Sequence, residues 1–244
     1  MPVTYDLHIH SCLSPCGDNE MTPNNIAGMA MLNGVRVAAL TDHNTSKNCP
    51  AFFEACRKYG VVPIAGMELT TAEEIHLVCL FPTLKSALDF DAFVENHRMK
   101  IKNRPEIFGE QIIIDGNDEI LGNEEFLLVL ATDLGLTEAT KVVKEYGGVA
   151  FPAHIEKPSN SVLSILGSFP EEPGFTAAEI FDTDNIKKLS IKDNKLSSLV
   201  WVKNSDAHSL ESMPLSPSVF ESIDDGDENS LREKIFAYLQ NIYR

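Results

Sequence analysis

Short apolar runs and amphipathic runs alternate along most of the chain. The apolar runs predict strands over residues 3–10, 35–40, 61–65, 75–81, 149–152, 177–181 and 199–203. The runs with helical spacing predict helices over residues 25–32, 49–59, 84–100, 137–146, 162–166 and 230–242. Such alternation is typical of a parallel sheet whose strands are joined by helices, and a closed barrel is its expected form.

One stretch interrupts this alternation. Residues 111–121 form two apolar arms around Asp115-Gly116, which is the pattern of a β-hairpin. We therefore predict a single domain over residues 1–244 with an insertion around residues 103–126, and we expect the hairpin to cover part of a pocket. The acidic run at 224–228 is predicted to be a solvated loop before the last helix.

Histidines and carboxylates recur at the ends of the predicted strands. In a strand, the period of two puts Asp6, His8 and His10 on one face, so that the two imidazoles converge. Similar groups follow or lie within other apolar runs: Asp42-His43, Glu68, His76, His154 and Asp206-Ala-His208. Because active sites of such barrels lie at the carboxyl ends of the strands, we expect these side chains to form one site.

The residue types at these positions indicate the metal and the reaction. Imidazole and carboxylate ligands together suit zinc, manganese or iron better than magnesium or calcium. These candidate ligands are more than one ion needs, so we predict two to three divalent transition-metal ions. Glu68 is suited to bridge two of the ions, because a carboxylate has two oxygens. Paired ions about 3.5–4 Å apart hold a hydroxide and clamp a phosphoryl group. The pattern predicts phosphoester hydrolysis without a covalent nucleophile.

Charge and composition limit the partners of the chain. A formal net charge of -16 argues against stable nucleic-acid binding. Three divalent ions would add about +6 locally and attract a small phosphorylated substrate. No apolar run reaches the ~18 residues of a membrane span and no signal segment is evident, so we expect a cytoplasmic protein without membrane contact. The oligomeric state is left open.

The cysteines do not form a recognisable metal motif. There are five of them, an odd number, and they lack the spacing of a zinc ribbon. We expect reduced thiols, with Cys12 or Cys16 near a metal as the alternative, because both closely follow His10.

Six motifs occur in a fixed order: Asp6-Leu-His8-Ile-His10, Leu40-Thr-Asp42-His43, Gly66-Met-Glu68, Glu74-Ile-His76, Pro152-Ala-His154 and Ser205-Asp206-Ala-His208. With them the chain resembles the polymerase and histidinol phosphatase (PHP) superfamily over essentially its full length. The resemblance implies an α/β fold, a distorted (β/α)7 TIM-like barrel with a small hairpin insertion, which holds a trinuclear metal centre. It also implies a metal-dependent phosphoric ester hydrolase.

The resemblance further implies a set of metal ligands. One metal is assigned to His8, His10, Glu68 and Asp206, the second to Glu68, His76 and His154, and the third to His43 and His208. A loop after the first strand usually completes the third site, but Pro15 occupies that position here. Asp18 is our candidate, with Glu20 or Cys16 as alternatives. Glu68, Asp206 and His208 are predicted to be catalytic.

Other side chains are assigned supporting roles. Asp6, Asp42 and Glu179 are expected to accept the second ring proton of metal-bound histidines, although Asp42 also has an ordinary explanation as a helix cap. Arg104 and Lys157, with Arg98 as a third candidate, are predicted to contact the substrate phosphate, although an ordinary surface charge is equally consistent with each. His97 has no acidic strand-end context and is predicted to lie at the surface.

The leading function is hydrolysis of a small phosphorylated metabolite or nucleotide, and three alternatives are kept. The first is a 5'-3' exonuclease on short oligonucleotides, which a groove leading away from the metals would favour. The second is an amidohydrolase-type C–N hydrolase, a class that commonly bridges its metals with lysine where Glu68 stands here. The third is a non-catalytic PHP interaction module, which the nearly complete set of ligands argues against.

Overall fold

The computed structural model of the chain describes residues 2–242. Its strands are β1 (Pro2–Ile9), β2 (Val37–Leu40), β3 (Val62–Thr70), β4 (His76–Phe81), β5 (Ile112–Ile114), β6 (Ile120–Asn123), β7 (Val149–Pro152), β8 (Ala177–Glu179), β9 (Val200–Val202) and β10 (Ser218–Asp224). Its helices are α1 (Pro23–Leu32), α2 (Cys49–Tyr59), α3 (Leu84–Val94), α4 (Pro105–Phe108), α5 (Leu136–Glu145), α6 (Val162–Leu166), α7 (Asn185–Lys192) and α8 (Glu228–Leu239). Two short 3₁₀ helices cover Asn194–Ser198 and Leu210–Ser212.

Six strands form a curled sheet in the order β10-β1-β2-β3-β4-β7, and β8 pairs with β9 beside it. Backbone hydrogen bonds link the two sheets. The N–H of Ile155, after β7, donates to the carbonyl of Glu179 at 3.0 Å, and that of His10 donates to Ala207, after β9, at 3.0 Å. The predicted α/β fold is therefore present and its main sheet is a curled half-barrel, whereas the predicted barrel of seven strand–helix units stays a prediction.

The sheet is not uniformly parallel, which corrects the predicted alternation. Strand β4 is antiparallel to both β3 and β7, because β3 continues to Thr70 and the chain turns back over residues 71–75. A parallel crossover needs a dozen or more residues, so this short connection allows only a hairpin. Strand β10, which was not predicted, pairs antiparallel with the first half of β1.

Several helix boundaries follow from local sequence. Helices α2 and α6 have the predicted bounds, and both end at a glycine in the left-handed region, Gly60 at φ 72° and Gly167 at φ 74°. The helix predicted over residues 84–100 ends at Val94 instead, because Arg98 and Lys102 form β-bridges with Thr132 and Phe126. Helices α4 and α7 were not predicted.

The acidic run before the last helix is more ordered than expected. Asp224 ends β10, and Asp227 caps α8 by accepting the N–H groups of Asn229 and Ser230, each at 3.1 Å. Among residues 2–242, no helix combines the length and the hydropathy needed to cross a lipid bilayer.

Two apolar layers hold the sheet rigid. Side chains of β2 alternate between them, so that Ala38 and Leu40 pack with helices such as α1 and α2, whereas Val37 and Ala39 pack with other strands and with α8. Strands buried on both faces place their polar residues at the ends. The histidines and carboxylates lie at one such end.

Candidate metal centre

Each candidate ligand is placed by the end of a strand. His8 lies in β1, His10 and His43 follow β1 and β2, Glu68 lies late in β3, His154 follows β7, and Asp206 and His208 follow β9. His76 is the first residue of β4, and because β4 runs antiparallel, its beginning lies at the same edge as the carboxyl ends of its neighbours. The hairpin direction therefore brings His76 to the site.

Two of these residues have a backbone conformation that is uncommon for residues other than glycine. His154 has a φ of 29° and Asp206 a φ of 52°. Such conformations cost on the order of 1–3 kcal/mol each and tend to occur where function requires them. The surrounding contacts hold both side chains at the site against this cost.

Four side chains converge as the first candidate metal group. The Nε2 atoms of His8 and His10 lie 3.1 Å apart. Glu68 Oε1 is 3.3 Å from His8 Nε2 and Glu68 Oε2 is 3.3 Å from His10 Nε2. Asp206 Oδ1 lies 3.4 Å and 3.3 Å from the same two nitrogens. One ligand atom from each residue lies within 4.8 Å of the others, which is a spacing that a single cation can fill.

Two further groups overlap with the first. His43, Glu68 and His76 form one of them, and His10, His43 and His208 form the other. Glu68 Oε1 is 2.9 Å from His76 Nδ1, and Glu68 Oε2 is 3.2 Å from His43 Nδ1. Because Oε1 also faces His8 and Oε2 also faces His10, each oxygen of Glu68 contacts histidines of two groups, which is the arrangement that a bridging carboxylate requires.

His154 stands slightly apart from these groups. Its Nε2 lies 3.4 Å from Glu68 Oε1, but it belongs to none of the three groups found among residues 2–242. The assignment of His154 to the second metal stays a prediction. His154 and His76 both face Oε1 of Glu68, whereas His43 faces Oε2.

Buried polar atoms test whether the site suits cations. His43 Nδ1 and Asp206 Oδ1 are buried and make no hydrogen bond within residues 2–242. Leaving such an atom unsatisfied costs about 1–3 kcal/mol. Imidazole nitrogens and carboxylate oxygens converge here, and some of them have no hydrogen-bond partner within residues 2–242. Such a site fits divalent ions that accept nitrogen ligands, such as zinc or iron.

Charge coupling keeps one half of the cluster ionised. Burial by itself would lower the pKa of His8 and His10, but neighbouring carboxylates outweigh it. At His8 these are Glu179, Glu68 and Asp206, with Glu179 the strongest, and at His10 they are Asp206 and Glu68. They raise the pKa of His8 well above its ordinary value and that of His10 to about 9. Burial would conversely raise the pKa of Glu68, yet the histidines hold it well below its usual range. Metal binding must therefore displace protons from His8 and His10.

Two other histidines of the cluster, His43 and His208, are neutral. Burial, together with the positive charge of His10, lowers the pKa of His43 well below its usual value and that of His208 to about 4. His208 Nδ1 lies 2.8 Å from the carbonyl of Asp206 and donates to it. The proton of His208 is thus on Nδ1, and Nε2 is left as a lone pair.

Glu179 lies where a partner of a metal-bound histidine is expected. Its Oε2 accepts from His8 Nδ1 at 2.9 Å and from Asn204 Nδ2 at 2.8 Å, and its Oε1 accepts the backbone N–H of His154 at 3.0 Å. This contact fixes the ring of His8 so that Nε2 faces Glu68 and Asp206.

Asp42 reaches a histidine through Ser14, which the sequence analysis did not identify. His10 Nδ1 lies 3.0 Å from Ser14 Oγ, and Ser14 Oγ donates to Asp42 Oδ1 at 2.7 Å. Ser11 also donates to Asp42, from its N–H at 2.7 Å and its Oγ at 2.6 Å. A serine four residues after a His-x-His motif was the available signal, but nothing in the sequence says which way it points.

Within residues 2–242, Asp6 makes no hydrogen bond or ion pair with an imidazole nitrogen, contrary to expectation. It accepts the N–H of Ser205 at 3.1 Å and the Oγ of Ser205 at 2.6 Å, and burial raises the pKa of Asp6 to about 6. Asp6 therefore holds the loop that presents Asp206 instead of orienting a histidine ring.

The predicted loop ligand is not brought to the cluster. Asp18 and Glu20 are exposed, and Asp18 belongs to none of the metal groups among residues 2–242. The Asp18 N–H instead donates to the carbonyl of His208 at 2.8 Å. Partial desolvation and the negative charges of Glu68 and Asp206 raise the pKa of the Cys16 thiol to about 12, so this thiol is protonated at neutral pH.

Of the predicted phosphate contacts, only Lys157 faces the site. The cluster opens into a cavity of about 180 Å³ whose walls include Lys157, and Lys157 Nζ lies 2.6 Å from Asp206 Oδ2. Arg104 is exposed and packs on the Phe108 ring, outside these walls. Arg98 is buried and pairs with Glu124 and Glu95.

His97 lies at the surface away from the cluster, as predicted, with its side chain 28% exposed. Its Nδ1 lies 2.6 Å from Asp133 Oδ1, and it belongs to none of the metal groups. The Asp133 partner comes from a distant part of the chain, which is why local sequence did not reveal it.

The hairpin formed by β5 and β6 lies beside the helices and does not cover the cavity, so this prediction is wrong. Ile114 packs against Cys12 and Ala51, and its N–H donates to Asn48 Oδ1 at 3.1 Å. The carbonyl of Gly116 at the tip accepts from Asn24 and Lys58 of α1 and α2. The apolar arms are buried by this packing, and no residue of 103–126 is among the cavity walls.

Comparison with known proteins finds similar sequences and similar solved structures, and three of them are described below. The 5'-3' exoribonuclease of Haemophilus influenzae is 36% identical over 83 residues, which are 33% of this chain and 29% of that protein. This chain therefore spans less than a third of that relative. A solved structure of a candidate metal-dependent phosphoesterase from Bifidobacterium adolescentis has a TM-score of 0.63 at 18% identity, covering 98% of this chain and 97% of the other.

The lesion-specific endonuclease Q from Pyrococcus furiosus has a TM-score of 0.61 at 22% identity, covering 86% of this chain and 49% of that protein. Both solved structures share the fold of this chain. The model of the PHP domain matches residues 6–147, more than half of the chain. The chain therefore belongs to the PHP domain family, a family of hydrolytic enzymes.

Proposed function

We propose that the chain is a metal-dependent phosphoesterase that hydrolyses a small phosphorylated metabolite or nucleotide. The observation that carries this proposal is the convergence of three overlapping groups of histidines and carboxylates around Glu68, in a cavity that also contains Lys157. Membership of the PHP domain family supports it.

Two to three divalent ions, zinc, manganese or iron, would occupy these groups. His8, His10, Glu68 and Asp206 would hold one ion, and His43, His76 and His208 would hold the others together with Glu68 and His10. Bound ions would supply Lewis-acid polarisation of a phosphoryl group and activation of water.

The side chains of the chain prepare the site for a phosphate. Lys157 is one-third exposed and donates to the outer oxygen of Asp206, so it can turn its ammonium group to an incoming phosphate with little rearrangement. The hydrogen bond from His208 Nδ1 to the Asp206 carbonyl keeps the ring proton on Nδ1. The Nε2 atom therefore has a lone pair that can bind a metal or accept a hydrogen bond. Glu179 holds His8 in the corresponding way.

The size of the cavity supports a small reacting group. About 180 Å³ is below the roughly 300–1,000 Å³ of pockets that enclose a whole organic ligand. The cavity therefore suits a terminal phosphoryl group better than the middle of a large substrate.

Substitution of Glu68 tests the proposal. Glu68→Gln keeps the size of the side chain but removes its charge, so the ions on both sides should be held more weakly, and the loss of spacing should lower turnover by about 100-fold or more. Phosphate release and metal content by elemental analysis are measured on this variant after reconstitution with manganese, zinc or iron.

His97→Ala is the matched control, because His97 pairs with Asp133 away from the cluster. We expect it to keep both metal content and turnover. A fully active Glu68→Gln protein would contradict the proposal. If the chain is a non-catalytic module, neither variant nor the wild type would release phosphate from sugar phosphates, nucleotides or oligonucleotides.

A 5'-3' exonuclease acting on short oligonucleotides is the second candidate. The name of the Haemophilus relative favours it, and the likeness in fold to endonuclease Q also counts against the expectation that the chain binds no nucleic acid. A 5'-phosphorylated hexanucleotide distinguishes the two functions. Stepwise release of mononucleotides would favour the exonuclease, whereas release of inorganic phosphate alone would favour the phosphoesterase.

A further inference from the structure

A second cavity, of about 750 Å³, adjoins the cavity of the metal centre. Ser205 lines this second cavity, and the next residue, Asp206, lines the first. Phe181 lines the second cavity as well, and its ring centroid lies 5.3 Å from the Nζ of Lys157, which lines the first. The two cavities therefore share a wall at two separate points.

The two cavities differ in size, so they fit different parts of one substrate. The metal cavity is large enough for a phosphoryl group, whereas the second cavity is within the roughly 300–1,000 Å³ that ligand pockets enclose. Because Lys157 Nζ lies only 5.3 Å from the centroid of the Phe181 ring, a phosphate beside Lys157 and a planar ring beside Phe181 would be close enough to belong to one small molecule.

The second cavity offers an exposed aromatic face. Phe181 is 55% exposed and Leu215 is 86% exposed, and Met213 and Pro214 complete this apolar part of the wall. The loop that presents Phe181 is held in place, because Glu156 Oε1 accepts the N–H groups of both Phe181 and Asp182 at 2.8 Å. A solvent-exposed ring on a backbone held in this way is a stacking surface for another planar ring.

The charges of the second cavity disfavour additional phosphates. Its exposed charged side chains are two acidic residues, Asp182 and Glu211, and one basic residue, Lys203. Acidic groups are therefore in excess. A surface that follows a nucleic-acid backbone needs clustered lysine and arginine. The part of the substrate in this cavity is therefore expected to be an uncharged ring and not a second phosphate or the next nucleotide.

We propose that the second cavity binds the base of a nucleoside monophosphate, stacked on Phe181, while the phosphate occupies the metal cavity beside Lys157. This inference rests on the proposed phosphoesterase function and names its substrate class.

Binding of adenosine, which lacks the phosphate, tests the stacking surface without need of turnover. Calorimetry on the wild type should detect binding. Phe181→Ala should weaken it about tenfold or more, since base–aromatic stacking contributes about 1–3 kcal/mol, and Phe181→Trp should retain it. Ile191→Ala is the control, because Ile191 is an equally apolar residue, 77% exposed on α7 and outside both cavities. Adenosine binding that is absent in the wild type, or equal in all variants, would overturn the inference.

Kinetics separate this inference from the function on which it rests. Phe181→Ala should lower kcat/KM for adenosine monophosphate about tenfold while that for ribose 5-phosphate stays within about twofold. An equal fall for both substrates would mean that Phe181 only supports Lys157, and would overturn the inference while leaving the phosphoesterase intact. Adenosine binding by a wild type that releases no phosphate from any ester would support the base site and contradict the proposed function.

Discussion

Glu68 is the carboxylate on which the candidate metal centre depends. It is almost completely buried, and its two oxygens lie within 3.4 Å of nitrogens on five histidines. Burial of a lone carboxylate would be strongly unfavourable, but these histidines hold its pKa well below the usual range. A negative charge is therefore maintained at the centre of the site, where cations would bind.

The contact between Ser14 and His10 provides a prediction at the level of single residues. Ser14→Ala removes the hydroxyl between His10 and Asp42, so the ring of His10 loses its orientation. Loss of such an outer contact typically lowers metal affinity by about 10–100-fold. Competition with a chromophoric chelator for zinc measures this affinity.

Ser11→Ala is the control for this prediction. Ser11 donates to the same Asp42 carboxylate but touches no ring nitrogen, so the variant should retain more of its zinc affinity than Ser14→Ala. Equal affinities of wild type and Ser14→Ala would show that the hydroxyl does not position His10.

At the scale of elements, ion pairs of one buried carboxylate attach the inserted segment to the body of the protein. Glu124 follows β6, and its Oε2 lies 2.5 Å from Lys47 Nζ and 3.6 Å from Arg98 Nη1. Lys47 precedes α2 and Arg98 follows α3. One carboxylate thus connects the insertion with two separate parts of the fold.

Replacement of Glu124 should destabilise the protein in a pH-dependent way. Burial would raise the pKa of Glu124, but Lys47 and Arg98 outweigh it and lower the pKa below its usual value. Because the folded pKa lies below the unfolded value of about 4.3, the stabilisation is complete above that pH and is lost as the pH falls through the folded pKa. Glu124→Gln should therefore lower the free energy of unfolding by about 1–3 kcal/mol at pH 7, and less below pH ~4.

Urea denaturation at pH 7, 5 and 3.5 measures this difference. Glu125→Gln is the neighbouring control, because Glu125 pairs with Lys102 at the exposed surface, where ion pairs contribute at most about 1 kcal/mol. A loss of stability for Glu124→Gln that is the same at every pH would contradict the electrostatic explanation.

At the scale of the whole molecule, the site couples distant parts of the chain. Its candidate ligands extend from His8 to His208 and are carried by β1, β3, β4 and the segments after β1, β2 and β9. In the unfolded chain these side chains are far apart, so cations that bind all of them bind the folded state alone. Metal binding must then stabilise the fold.

We expect two to three transition-metal ions per chain and a metal-dependent melting temperature. A ligand at 100 times its Kd stabilises by about 2.7 kcal/mol, which for a chain of this size should raise Tm by roughly 5–10 °C. Zinc or manganese should produce this shift, and a chelator should reverse it and abolish phosphate release. Calcium at the same concentration should shift Tm less, because nitrogen ligands do not suit it. Less than one ion per chain after reconstitution, with unchanged Tm, would contradict the prediction.

The sequence by itself determined the local elements and the chemistry of the candidate site. Apolar runs located five of the six strands of the curled sheet, all except β10, and glycines follow the ends of α2 and α6, because these features depend on neighbouring residues alone. The motifs from His8 to His208 indicated a metal centre, because few other roles require so many imidazoles and carboxylates at strand ends.

The tertiary structure alone decided direction, packing and partners. It reversed β4 and so brought His76 to the edge of the site, directed Ser14 towards His10, and placed the β5–β6 hairpin on α1 and α2 and away from the cavity. It also set Phe181 beside Lys157. Each of these results depends on contacts between residues far apart in the chain, and the period of apolar positions carries no information about them.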